Sequence, residues 1–128
     1  MASIHQEILL PASPARVSDM LLDSQQFSAF SGGGPAEIDA REGGAFSCFG
    51  GRIEGRTIEL RPAKRIVQAW RVAGWPEGVY SIVRFELTAD GAGTKLTMDH
   101  IGFPDGDREH LAAGWTKMYW DPLTAHLA

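Results

Sequence analysis

Four histidines, one cysteine and a cluster of acids are the residues through which this chain could do chemistry, and their spacing limits what is open to them. His5, His100, His110 and His126 stand apart, without the paired spacing of a zinc site, so no metal is expected. The stretch DHIGFPDGDREH gathers Asp99, His100, Asp105, Asp107, Glu109 and His110. Its proline and glycine mark a turn, and acids at a helix start are favoured by the dipole alone, so it reads as a solvated loop. Ser31 in FSGGG has the wrong neighbours for a nucleophile elbow, and SGGGPAE lacks the lysine and serine or threonine of a phosphate loop. These glycines read as a flexible loop. Cys48 has no activating neighbour in sequence and reads as a small buried hydrophobe. No catalytic residue is assigned and no cofactor is expected.

The elements that must position these residues follow from length and pattern. A chain of 128 residues with 44% apolar and 22% charged residues is expected to form one domain, residues 1–128, around one core. Its net charge of -4 argues against nucleic acid as a partner. The lone cysteine, the absence of a signal-like N-terminus and the absence of a membrane-length apolar run make a soluble, cytoplasmic protein the expectation. Arg52, Arg56, Arg61, Lys64 and Arg65 tint the middle strands basic, but Glu54 and Glu59 interrupt them, which reads as a mixed, solvated sheet face.

SIHQEILL suits a first strand, with Ile4, Gln6 and Ile8 on one side. SPARVSDMLL predicts a helix with Ser13 as N-cap and Pro14 at its first position, and SQQFSAF predicts a second short one. AEIDA, GAFSCFG, RIEGRTIEL, RIVQAWRVA, VYSIVRFELTA and TKLTMDHIG then read as strands, separated by glycine- and proline-bearing turns. Short links imply an antiparallel meander. The tail returns to helical composition, with Asp107 as the expected cap. The fold class is therefore α+β. A curved antiparallel sheet of about six to seven strands wraps a long C-terminal helix, with one or two short helices after the first strand.

GGAF, GGRIEGRTIELRPAKRIVQAWR, SIVRFELTADGAGTKLTMDHIGFP and a final GW with a tyrosine four residues after the tryptophan resemble the Aha-type domain. That domain is named for an activator of the large heat-shock chaperone ATPase and belongs to the START and birch-pollen-allergen superfamily. The resemblance covers nearly the whole chain and implies a helix-grip fold with an internal, often hydrophobic cavity between sheet and last helix. It implies no single reaction, because the superfamily includes lipid carriers, hormone receptors, polyketide cyclases and chaperone-binding domains.

Strand alternation then selects the residues that would line such a cavity. Gln68 and Trp70, Phe85, and Met98 and His100 face inward from three strands, Phe46 and Cys48 share one face of an earlier strand, and Phe49 falls on the other. At about 100 degrees per residue the last helix puts Trp115, Met118 and Tyr119 toward the sheet, with Gly114 admitting close approach. Trp120 falls nearly opposite; with Leu123 and Leu127 it is left to pack under the early helices or to form a homodimer contact. Pro122 should make the helix bend or restart.

Three readings follow. A non-enzymatic site for a small, largely hydrophobic molecule ranks first, with Gln68, His100 and Tyr119 as its few polar groups. A chaperone- or other protein-interaction module ranks second; read as a solitary domain, the chain is expected to lack the separate N-terminal domain of the eukaryotic co-activators. A cyclase or hydrolase-like enzyme using His100 or Tyr119 as acid or base ranks third. The ordinary role of His100 is a satisfied core histidine.

Overall fold

The computed structural model describes residues 3–32 and 34–127. Strand β1 (Ser3–Leu10) leads into helices α1 (Pro14–Leu22) and α2 (Ser24–Ser31). Six strands follow: β2 (Glu37–Ile38), β3 (Ala45–Cys48), β4 (Ile53–Arg61), β5 (Arg65–Val72), β6 (Ser81–Asp90) and β7 (Gly93–Ile101). The chain ends in one helical run made of α3 (Arg108–Gly114), a π-helical segment (Trp115–Trp120) and α4 (Asp121–Leu127).

All seven strands form one antiparallel sheet in the order β1-β7-β6-β5-β4-β3-β2. This is the helix-grip arrangement. Its long strands obey the expected alternation: Ile66, Gln68 and Trp70, Val83, Phe85 and Leu87, and Leu96, Met98 and His100 are all buried. The ladder places Val83 opposite both Gln68 and His100, and Phe85 opposite Met98, so the inward residues form rows across the sheet. In β4 the register shifts between Thr57 and Glu59, and the intervening Ile58 points outward at 51% exposure. Such a bulge bends the strand and helps the sheet curl. Gly55 lies on the inner face of the same strand, where a Cβ would collide with the Ala69 carbonyl and lie 2.9 Å from the Phe46 ring.

The two early helices obey their caps. Ser13 Oγ accepts from the Arg16 N–H at 3.2 Å, and Asp23 Oδ2 accepts from that of Gln26 at 3.0 Å. Helix α2 stops at Gly32, whose φ is 60°; Gly33, in the expected flexible loop, lies outside the described residues.

Three expectations are corrected here. Asp107 precedes α3 but its side chain makes no cap hydrogen bond, because its backbone is already near-helical at φ -89° and ψ -5°. Phe49 is buried instead of lying opposite Phe46 and Cys48. The strand ends at Cys48, and Phe49 takes a φ of 55° that turns its ring inward, 5.4 Å from Phe27 and 5.5 Å from Tyr119. Left-handed backbone at a non-glycine residue costs about 1 to 3 kcal/mol, which burial of an aromatic ring offsets.

The third correction is Trp120. The projection assumed α-helical winding, but residues 115–120 wind as a π-helix, whose hydrogen bonds link residues five apart. Trp115 and Trp120, five apart, therefore stack at 5.6 Å with planes 17° apart. Trp120 is buried and donates its indole N–H to Gln6 Oε1 at 2.6 Å, while Gln6 Nε2 donates to the Ala112 carbonyl at 3.2 Å. Leu123 is buried as well, where α4 packs on α2. Trp120 and Leu123 are thus packed inside the chain, and Leu127 is half-buried. The change expected at Pro122 takes the form of a return from π to α winding at Asp121, and the helix runs on through the proline. Among the described residues no helix is long and apolar enough to cross a membrane.

Candidate functional site

His100 projects from β7 toward the last helix, with 0% exposure. Its Nδ1 accepts the Trp115 indole N–H at 3.1 Å and its Nε2 lies 2.7 Å from Ser81 Oγ. An indole can only donate, so Nδ1 carries no proton and Nε2 carries the one that remains. Nε2–H therefore donates to Ser81, whose hydroxyl donates onward to the Trp70 carbonyl at 3.0 Å. This wiring runs opposite to an activated serine: the imidazole gives a hydrogen bond to the hydroxyl instead of taking its proton. Burial also pushes the imidazole down to about 4, which keeps it neutral. His100 ties β6 and β7 to the last helix.

Tyr119 is no better placed as an acid or base. Burial holds its hydroxyl well above the usual phenol range and the Cys48 thiol adds to the rise; the Trp70 indole opposes it without reaching hydrogen-bond geometry. Burial likewise raises the Cys48 thiol to about 12, so a thiolate nucleophile is disfavoured.

The inner part of the space between sheet and helix is filled. Phe46, Cys48, Gln68, Phe85 and Tyr119 surround, with Leu21, Phe27 and Ile38, a void of only about 10 Å³. That is about the room of one water, far below the ~300 Å³ or more of an ordinary ligand pocket. Phe27 and Phe49 fill the volume, stacking edge-on against Tyr119 at 5.7 and 5.5 Å. Met98 and His100 are packed behind it with no exposure. Aromatic core thus occupies the inner part of the space where the resemblance implies a chamber.

Open space lies instead at the mouth of the grip, between the β4–β5 strands and the last helix. There a groove of about 540 Å³ is walled by Trp70, Trp75, Trp115, Met118 and Tyr119, and rimmed by Arg52, Asp107, His110 and Lys117. Trp75 leans edge-on against Trp70 at 5.9 Å, and Trp70 stacks on Trp115 at 5.5 Å with planes 27° apart. Trp75 and Met118 are half-buried, leaving apolar surface to solvent. Gly114 also borders the groove. A Cβ there would meet nothing within 4 Å, so this glycine widens the groove instead of bringing helix and sheet together, a further correction. A larger hollow of about 730 Å³ lies along β2–β4, but it is shallow and lined chiefly by small and charged residues such as Ser24, Asp39, Ser47 and Arg56.

Of the ten residues selected from sequence, Trp70, Trp115, Met118 and Tyr119 meet at the groove; Phe46, Cys48, Gln68 and Phe85 share the closed void with Tyr119; Met98 and His100 reach neither. Sequence reasoning missed Trp75, which sits in a turn outside any alternation, and Gln6 and Ser81, whose partners are remote in sequence.

A family model described as "Activator of Hsp90 ATPase homolog 1-like protein" matches residues 11–128. The chain belongs to this family. It is the family that the glycine and aromatic motifs resemble. The human "Activator of 90 kDa heat shock protein ATPase homolog 1" is 32% identical over 89 residues, covering 70% of this chain and 26% of that protein. The chain thus spans about a quarter of that relative's length. A solved structure of an HSP90 activator from Plasmodium falciparum superposes with a TM-score of 0.93 at 27% identity, covering 99% of this chain and 96% of that one. The Aha1 dimer from Colwellia psychrerythraea superposes with a TM-score of 0.83, covering 99% and 96%; at 18% identity it shows the fold alone.

Proposed function

We propose that this chain is a non-enzymatic protein-interaction module that docks on a 90 kDa heat-shock-type chaperone. The observation that carries the reading is the match of residues 11–128 to the activator family. The filled inner core, with a void of about 10 Å³ beside Phe46 and Cys48, is in keeping with recognition on the outer surface. Membership of the activator family supplies the chaperone as the partner class. Residues 1–128 would act as one START-like helix-grip domain, and a cytoplasmic location fits this partner. The test is isothermal titration of the purified chaperone with the purified chain, alongside the chaperone's ATPase rate. Micromolar binding with a changed ATPase rate is expected. Absence of binding together with an unaltered rate overturns the proposal.

A second reading, binding of a small, largely hydrophobic molecule, is favoured by the groove and its partly exposed Trp75 and Met118. It moves the expected ligand from the interior to the mouth of the grip. A cyclase or hydrolase-like reading draws no support from His100, whose one proton is given to Ser81 and whose Nδ1 already accepts from Trp115.

A further inference from the structure

We infer that the groove at the mouth of the grip takes an amphipathic anion, its apolar body against Trp75, Trp70 and Met118 and its carboxylate met by Arg52 and Lys117. This rests on the second reading above and specifies its ligand class. The volume of about 540 Å³ suits one small organic molecule. Trp75 and Met118 are half-buried, one a flat rigid surface and the other adaptable. Gly114 leaves further room where any side chain would fill it.

The charge preference follows from the rim. Many cations elsewhere on the sheet are paired, Arg65 with Glu59 and Glu86, Arg71 with Glu54, Arg84 with Asp99 and Glu86, Lys95 with Glu7, whereas Arg56 and Lys64 make no ion pair among the described residues but lie away from the groove. Arg52 and Lys117 are exposed and, among the described residues, make no ion pair. Asp107 is the single acid in the lining, so the two cations outnumber it in a chain of net charge -4. An apolar wall beside unpaired cations selects an acid over an alcohol of the same length, because the ionised head gains charge-assisted hydrogen bonds while the tail loses water contact. Deeper in the wall, the buried Trp70 indole N–H has no hydrogen-bond partner among the described residues.

Decanoate and decanol form a matched pair of probes for the intact chain, followed by calorimetry and by the tryptophan indole N–H resonances. Decanoate should bind with shifts concentrated on Trp70 and Trp75, roughly ten-fold more tightly than decanol. The double variant Arg52→Gln/Lys117→Gln should remove that preference and leave decanol binding unchanged. Gly114→Leu should block both probes, and its amide spectrum and melting temperature verify that it remains folded. Equal affinity for the two probes, both blocked by Gly114→Leu, overturns the anion preference and leaves the groove reading standing. Failure of both probes to bind overturns the groove reading as well, and so does binding indifferent to Gly114→Leu.

Discussion

The indole of Trp115 donates to Nδ1 of His100 across 3.1 Å, and this one contact sets which ring nitrogen of a fully buried histidine carries the proton. It fixes the tautomer, turns Nε2 toward Ser81 as a donor and makes a catalytic-looking serine–histidine pair into a structural clip. The same contact anchors the start of the π-helical segment, whose winding brings Trp120 under Trp115. Protonating His100 would put a second hydrogen on Nδ1, facing the indole N–H.

Stability should therefore fall on mild acidification. The folded imidazole titrates at about 4 against 6.5 for the free side chain, so between these values the unfolded chain binds the proton and the folded chain resists it. The contribution is fully present above the unfolded value and erodes as pH drops through that window, and the loss reaches roughly 3 kcal/mol at its lower end. His5 works in the opposite sense: hydrogen bonds to Asp99 and then Glu7 raise its pKa, which favours the fold below 6.5, but it is fully exposed. Urea titrations across this range should show a falling midpoint in wild type, a similar fall in His5→Gln and a flatter profile in a folded His100→Gln. A wild-type midpoint that stays level across the range would show that the buried imidazole does not resist protonation.

Replacing Gln6 by alanine should destabilise the protein by about 1 to 3 kcal/mol, since it strands the buried Trp120 indole N–H and frees the Ala112 carbonyl. Chemical denaturation monitored by tryptophan fluorescence measures this directly. A change within a few tenths of a kcal/mol would mean that water replaces Gln6 at no cost.

Two glycines should respond in opposite ways to the same substitution. Gly55→Ala drives a methyl into the Ala69 carbonyl and the Phe46 ring and should cost about 3 kcal/mol or more. Gly114→Ala places its methyl in open space on helical backbone, φ -62° and ψ -40°, and should stabilise by about 0.5 to 1 kcal/mol. Thermal melts of the two variants decide the matter. A destabilising Gly114→Ala would indicate that the π-helical turn itself depends on glycine.

Cys48 should be silent toward thiol reagents in the native state. It is buried and burial lifts its thiol to about 12, so neither access nor thiolate is available near neutral pH. Dithiobisnitrobenzoate should label it only in denaturant. Prompt stoichiometric labelling of the folded chain would mean that β3 opens readily.

Much of the frame was legible before any coordinates. The Ser13-Pro14 start of α1, the antiparallel run of strands and the inward rows on β5, β6 and β7 are all local signals, written in caps, turns and a period of two. Those rows correctly put Gln68, Trp70, Phe85, Met98 and His100 inside. Phe49 was misassigned because the period of two ends with the strand, and a single left-handed residue then reverses the side. Trp120 was misassigned because a helical projection carries one winding angle, and nothing in WTKMYW announces a π turn.

By itself, then, the sequence determined the α+β class, the order of the elements and which strand faces are apolar, since each of these depends on neighbours within a few residues. Tertiary structure alone decided whether those apolar faces enclose a chamber or a solid core. That outcome depends on how Phe27, Phe49 and Tyr119, from three separate segments, fit one volume. It also decided that His100 and Ser81 hold each other in a non-reactive sense, and that free space lies at the rim beside Trp75. Packing density and hydrogen-bond direction are properties of groups brought together from afar, and no local pattern encodes them.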